Sequence, residues 1–301
     1  MQNDDLSKGL LFALAGFALL ATGDAVIKTM AGQWSPLAVA ALRFAIGAAG
    51  LSVLLWRHEG SGAFRPRRPL LQVVRGTCLA MATLFFFSSI FLIPLAAATA
   101  LVFISPILTA LLAGPVLGEK VRRATWIASA MAFAGVVIVL RPNVAEIGWA
   151  ACLPLCSAAF FSGMVITNRA VAGEGSALSM QVFVALVAAP ILALAALAGW
   201  ASGIPLLEIG PLDWDVAARC AIVAVTASSA HWLIYRGTER AGASSVAPMT
   251  YVQLLIASAL GWWWFGDVPD LGTLGGAAII IGAGLYLWRS GRRVPKVRVA
   301  T

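Results

Sequence analysis

Long runs of apolar residues, separated by short polar or Gly/Pro breaks, recur ten times along this chain, at about 9–30, 36–56, 75–93, 95–117, 124–140, 148–168, 177–200, 217–236, 243–265 and 271–288. Each run approaches the roughly 20 residues that carry a helix across a bilayer's hydrocarbon. None shows the ten-residue apolar/polar alternation of a transmembrane barrel strand. In lipid, a helix satisfies its own backbone N–H and C=O groups, so the pattern predicts an all-α membrane protein with ten transmembrane helices. Two joints are tight, one at Pro94 and one between Phe265 and Leu271.

Composition removes the soluble alternative. Of 301 residues, 60% are hydrophobic and 11% charged, with a mean hydropathy of +0.90. Soluble domains carry about 25% charged residues. The chain begins Met1-Gln2-Asn3-Asp4-Asp5, acidic where a secretory signal needs positive charge, so the first run is expected to stay in the protein. Cys78, Cys152, Cys156 and Cys220 lie in or beside apolar runs and read as small packing residues. Cys152 and Cys156 stand four apart, but no acid or histidine on that helix joins them as a metal site.

Charge sets the orientation. With both termini in the cytoplasm, seventeen of the 21 Lys and Arg fall on the inner side, among them Arg57, Arg65, Arg67, Arg68, Arg75, Lys120, Arg122, Arg123, Arg169, Arg236, Arg240 and the 289–301 tail. Lys28, Arg141 and Arg219 fall outside, and Arg43 lies inside a span. Basic cytoplasmic loops are the rule for such proteins. The acids Glu146, Glu208, Asp213, Asp215, Asp267 and Asp270 collect on the outer side. The net charge of +8 thus concerns orientation and anionic lipid heads, not nucleic acid. Trp34, Trp56, Trp149, Trp200 and Trp288 fall at span ends as an interfacial belt, and Trp262–Trp264 extend it or turn one ring to a cavity.

The sequence also repeats itself. At an offset of 148, Gly118-Glu119 meets Gly266-Asp267, and Leu101–Pro106 runs without a gap against Met249–Leu254. At the front of each half Thr22-Gly23 matches Ser162-Gly163, and Phe44 matches Phe183. Five spans per half is odd, so the two copies are expected upside down to one another, 9–141 against 148–288, followed by a basic tail at 289–301. Inverted repeats of this kind place a substrate site near the bilayer midplane, where the copies meet.

These residues resemble the drug/metabolite transporter superfamily, specifically its EamA-type ten-helix members. The resemblance covers nearly the whole chain and rests on Leu95-Ala96-Ala97-Ala98, Ser105-Pro106-Ile107, Leu117-Gly118-Glu119, Trp126, Gly135 and Leu140-Arg141-Pro142. The second copy departs from it, with Asp267 in place of the glutamate and Leu254 where Pro106 stands in the first. The resemblance implies an inner-membrane carrier of small metabolites, amino-acid-, vitamin- or nucleotide-like, whose central cavity opens alternately to either side. It carries no substrate signature onto particular residues.

Candidate site residues therefore come from cost and depth. Asp24 is the only acid within a span, and an ionisable group there costs about 2.5–3.5 kcal/mol on insertion scales, so it needs a partner or water. At about 1.5 Å per residue, Asp24 and Arg43 lie at similar depth, roughly 9 and 10 Å below the outer ends of the first two spans. An ion pair between them is expected, with Lys28 sharing it or reaching outward. The pair reads as a clasp between helices, as an anchor for a charged end of the substrate, or as a carboxylate whose protonation drives the cycle. Ser105 and Gln253, equivalent in the repeat, fall near mid-bilayer beside Phe103 and Tyr251. Gln253 either faces the site or bonds a neighbouring carbonyl. His231, four residues from Tyr235, either titrates during a cycle or bonds a helix carbonyl. Pro106, Pro154, Pro190 and Pro248 predict kinks. Glycines such as Gly114 and Gly118 predict close helix packing.

Other functions fit poorly. The chain has no Gly-x-x-x-x-Gly-Lys-Ser/Thr loop for ATP. An intramembrane enzyme needs clustered acids or histidines, whereas His58 and His231 are the only histidines. A scaffold needs no matched polar groups at mid-depth. The expectation is a secondary transporter without cofactor, partnered by a small molecule and membrane lipid, working as a monomer or homodimer.

Overall fold

The computed structural model describes residues 2–117, 123–140, 148–171, 173–211, 213–241 and 247–292. Gly118, Glu119, Lys120, Arg122, Arg141, Glu146 and the tail beyond residue 292 lie outside them, as do the side chains of Gly114, Arg169 and Trp288.

Among the described residues every regular element is a helix. The α-helices are α1 (Gln2–Lys28), α2 (Pro36–Glu59), α3 (Pro69–Leu92), α4 (Leu95–Val102), α5 (Ser105–Leu117), α6 (Arg123–Leu140), α7 (Cys152–Ala170), α8 (Ala177–Ala201), α9 (Trp214–Ala241), α10 (Val252–Phe265) and α11 (Leu271–Arg292). α4 and α5 follow each other across a two-residue break and form one rod, which gives ten rods matching the ten apolar runs. Six stretches, in α1, α2, α3, α7, α8 and α9, are long and apolar enough to cross a membrane. Of the ten transmembrane helices expected, these six meet that standard among the described residues, and shorter apolar stretches lie at Leu95–Thr109 in α4–α5, Trp126–Ile138 in α6 and Leu271–Tyr286 in α11.

Local chemistry explains the ends. Ser35 accepts a hydrogen bond from Leu37 N at 3.3 Å, with Pro36 in the first turn of α2. Ser176 accepts one from Ser179 N at 3.0 Å ahead of α8. Both are side-chain caps on donors that a helix start leaves free. Gly266, at φ 68°, closes α10 in the left-handed region that glycine enters without penalty. The α4–α5 break has its cause in Pro106, which lacks an N–H and whose ring clashes with the carbonyl four residues back. That carbonyl belongs to Val102, where α4 ends. The prolines are otherwise milder than expected. Pro154 sits in the first turn of α7 and Pro248 in a 3₁₀ turn, so of the four Pro190 alone stands in the middle of a helix.

Packing interleaves the two halves. α1 lies along α9 as α7 lies along α3, and α2 touches α9 as α8 touches α3. α1 also meets α10 as α7 meets α4 and α5, while α2–α8, α4–α10 and α6–α11 pair equivalent rods directly. A Cβ on Gly135 of α6 would meet Ile280 Cγ1 at 2.7 Å and Gly276 O at 2.8 Å on α11. One on Gly16 of α1 would meet Ile234 Cγ1 at 2.7 Å and Ala230 O at 2.8 Å on α9. Missing side chains thus set both close approaches. The main core, including Ala25, Val39, Phe87, Leu95, Leu192 and Cys220, draws on both halves. Outside it, leucines, valines and tryptophans such as Leu194, Val225, Trp263 and Leu271 are exposed, as suits a molecule whose solvent is lipid.

Candidate functional site

α2, α3, α8 and α9, two pairs of equivalent rods, enclose a cavity of about 100 Å3. Its volume exists because Gly47, Ala185, Ala224 and Ala227 face it. Its polar wall comprises Arg43 from α2, Thr83 from α3, Gln181 from α8, and Ser228 and His231 from α9.

Arg43 is held by aromatic faces. Its guanidinium lies 4.9 Å from the Phe44 ring centroid and 5.5 Å from that of Phe87, contacts that stabilise a cation by about 0.5–2 kcal/mol. The expected Asp24–Arg43 ion pair is not made. Asp24 is half-buried on α1 and acts on Arg43 only through its field, without a contact inside ion-pair distance. The reason is geometric: α1 packs along α9 and α10 and not along α2, so similar depth on consecutive helices does not make two residues neighbours. Arg43 turns to the aromatic rings of α2 and α3. His231 stands exposed on the cavity wall, within reach of the field of Arg43, and bonds no helix carbonyl among the described residues.

Lys28 pairs with an acid of the outer group and does not share a contact with Asp24. Its Nζ lies 2.5 Å from Asp267 Oδ2 and donates to Ile93 O at 3.3 Å, 5.0 Å from the Phe265 ring centroid. It therefore ties the end of α1 to the corner after α10, leaving Asp24 alone.

The second group gathers elsewhere. Phe103, buried in the α4–α5 break, meets Tyr251 edge-on with ring centroids 5.6 Å apart and planes at 88°. Tyr251 ends the 3₁₀ turn before α10, so the two aligned residues both stand where their rods change helix geometry. The Tyr251 hydroxyl occupies the space a side chain on Gly284 would fill. Gln253 accepts from Thr250 Oγ1 at 3.1 Å. Ser105 is buried, and its carbonyl accepts from Thr109 Oγ1 at 2.8 Å and Ser162 Oγ at 2.9 Å. It joins α5 to α7 and does not face the cavity. Of the eight candidates, Arg43 and His231 share the cavity, with Asp24 near enough to act on the arginine. Phe103, Tyr251 and Gln253 form a second locus, Ser105 seals a helix contact, and Lys28 closes one end.

Sequence reading passed over Thr83, Gln181 and Ser228, although each is a polar side chain inside an apolar run. It also placed Arg75 at the very start of the third run. Because Pro69 starts α3, Arg75 lies in the second turn, buried. Its Nε donates to Asn168 Oδ1, and its Nη1 donates to Gln72 Oε1 and Met180 O, both at 2.9 Å. At the opposite end Arg219, in the second turn of α9, pairs with Asp215 and donates to Thr29 O at 3.1 Å and Gln33 Oε1 at 2.8 Å. Each arginine starts the third rod of its half and grips the end of the first rod of the other. Trp34, read as part of the lipid belt, is half-buried and donates to Gly210 O at 2.9 Å. The four cysteines are free, and the described residues hold no cluster of three or more His, Cys, Asp or Glu.

Comparison with known proteins agrees with this architecture. The EamA-like transporter family matches residues 7–141 and again 148–289. The S-adenosylmethionine uptake transporter of Rickettsia prowazekii is 26% identical, over 76% of this chain and 75% of that protein. The riboflavin transporter of Rhizobium johnstonii is 29% identical over 79% and 76%. The pseudopaline exporter of Pseudomonas aeruginosa is 25% identical over 95% and 98%. A solved structure titled "Crystal structure of protein" shares the fold, with a TM-score of 0.63 at 23% identity, over 96% of this chain and 100% of that one. With two family matches spanning the interleaved halves, the chain belongs to the EamA-like transporter family and is an integral membrane protein, a secondary transporter of a small metabolite.

Proposed function

We propose that the chain works by alternating access, as two inverted five-rod units, 9–141 and 148–288, around the cavity between α2, α3, α8 and α9. Both termini and the 289–301 tail stand in the cytoplasm, beside the basic loops. The observation that carries this reading is the placement of the polar cavity between two pairs of equivalent rods, where inverted repeats put their substrate site. Arg43 and His231 meet the substrate, and Asp24 supplies the counter-charge. Phe103, Tyr251 and Gln253 mark the axis on which the halves move, and the two arginine grips and the Lys28–Asp267 pair hold the ends. All four helices lining the cavity belong to one chain, in keeping with transport by a single copy. The relatives' names include both uptake and export, in keeping with a carrier whose direction follows its gradients.

Cysteine chemistry tests it. In a chain freed of its four native cysteines, Gly62→Cys between α2 and α3 and Val268→Cys after α10 should label from opposite faces of the membrane. Gly47→Cys adds a thiol to the cavity wall where a Cβ meets nothing within 4 Å. A bulky thiol reagent there should stop exchange of metabolites across proteoliposomes. Labelling of Gly62→Cys and Val268→Cys from one face, or undiminished exchange after modification at position 47, would refute the proposal.

A further inference from the structure

The cavity wall is chemically one-sided. Arg43 makes no ion pair with a carboxylate among the described residues; its guanidinium lies beside two aromatic rings, and the residue lines the cavity. Thr83 and Gln181, on two other walls, have no hydrogen bond to protein among the described residues. Ser228 donates to Ala224 O at 2.9 Å, leaving its oxygen free to accept. Among the described residues no carboxylate lines the space; Asp24 stands outside it and reaches Arg43 only through its field. The wall is thus a fork of N–H groups with a hydroxyl and an amide beside it, facing a void of about 100 Å3. That is well above the roughly 10–15 Å3 that one water needs, and below the about 300–1,000 Å3 of a drug-sized ligand site.

The repeat adds an independent argument. With Phe44 aligned on Phe183, the position equivalent to Arg43 is Val182, a buried apolar residue of α8. Arg75 and Arg219, by contrast, recur in both halves at corresponding ends. Arg43 has no such counterpart and belongs to no helix grip repeated between the halves.

We infer that the carried metabolite presents a carboxylate to this cavity, and that Arg43 binds it through two parallel N–H donors, with Thr83 and Gln181 completing its hydrogen bonds. A planar carboxylate matches the guanidinium fork, whereas a lysine could offer only a point charge. Burial among Phe44, Phe87 and the alanines of α9 shields the contact from water, which strengthens it. This inference rests on the cavity being the transport chamber.

The test uses the full chain in liposomes loaded with a uniformly 13C-labelled bacterial metabolite extract, with the unlabelled extract outside, and mass spectrometry of what exchanges. The expected result is that the compounds exchanged faster than through protein-free vesicles all carry a carboxylate. Arg43→Gln should exchange them at least about tenfold more slowly, with Arg43→Lys between, because the charge-assisted fork is lost in the first and only its geometry in the second. Exchange of compounds that lack a carboxylate, phosphate esters included, or unchanged rates in a folded Arg43→Gln protein, overturns the inference. Should Arg43→Gln fail to fold, the chemistry of the compounds exchanged by the unaltered protein decides alone. Modification of Gly47→Cys separates the two failures. If it stops exchange of compounds without carboxylates, only the substrate class falls; if it stops nothing, or if nothing exchanges at all, the chamber falls and the inference with it.

Discussion

Lys28→Met should destabilise the folded protein by about 2 kcal/mol. The ammonium lies 2.5 Å from Asp267 Oδ2, with side chains 13% and 24% exposed. A hydrogen bond to a charged group contributes about 1.5–3 kcal/mol, and the Phe265 ring adds about 0.5–1 kcal/mol. Partial exposure screens the pair and argues for the lower part of that range. Asp267→Asn should cost somewhat less, since the amide oxygen still accepts. A double-mutant cycle of Lys28→Met, Asp267→Asn and the double variant, read by equilibrium unfolding in mixed micelles, should give a coupling of about 1.5 kcal/mol. Repeating it at 1 M salt should reduce the coupling only modestly, because the contact is shorter than the roughly 3 Å screening length there. Single effects that add to within about 0.5 kcal/mol would refute the assignment, since that is how independent sites behave.

Other outcomes follow from the packing and the caps. Gly135→Leu drives a side chain into the Gly276 carbonyl and Ile280 and should cost about 3 kcal/mol. Gly50→Leu, where a Cβ meets nothing within 4 Å, should stay within about 0.5 kcal/mol, and equal losses of thermal stability in the two would count against close α6–α11 packing. Asp270 accepts from Thr273 N at 2.8 Å ahead of α11, and its hydrogen bonds to Thr273 hold its carboxyl below the usual range. Asp270→Ala should cost about 1 kcal/mol at pH 7. Because the folded value is the lowered one, that contribution is full above the ordinary carboxylate value of about 3.9 and disappears as pH falls through the lowered one. Thermal melts from pH 7 to 3 should show the gap between the two proteins closing only below about pH 4, and a gap that closes between pH 7 and 5 would contradict the cap.

Hydrophobic runs carried the rods because lipid demands uninterrupted apolar length, so their positions could be read to within a few residues. The repeat was legible for a related reason: Phe103 and Tyr251 align at a fixed offset, and they meet. Side-chain direction was not legible. Counting along the chain puts Asp24 and Arg43 at similar depth, yet it does not say which helices pack together: α1 lies along α9, and Arg43 meets aromatic rings. Lys28 found Asp267, 239 residues away, a pairing that no local pattern encodes. Arg75 was misplaced by one helix start, although Pro69 after Arg67-Arg68 is the signal that moves the boundary outward and the arginine inward. The break at Phe103 likewise follows from Pro106, read four residues back instead of in place.

The contact between Phe103 and Tyr251 has a consequence for kinetics. In an object that moves by exchanging the roles of its two halves, a residue touching its own counterpart sits on the axis, where displacement is least. Such a point acts as a fulcrum. Altered bulk at Phe103 or Tyr251 should change the inward and outward half-cycles by equal factors, leaving the balance between them untouched. Loss of Arg75 or Arg219, each far out on one lever arm, should tilt that balance in opposite senses.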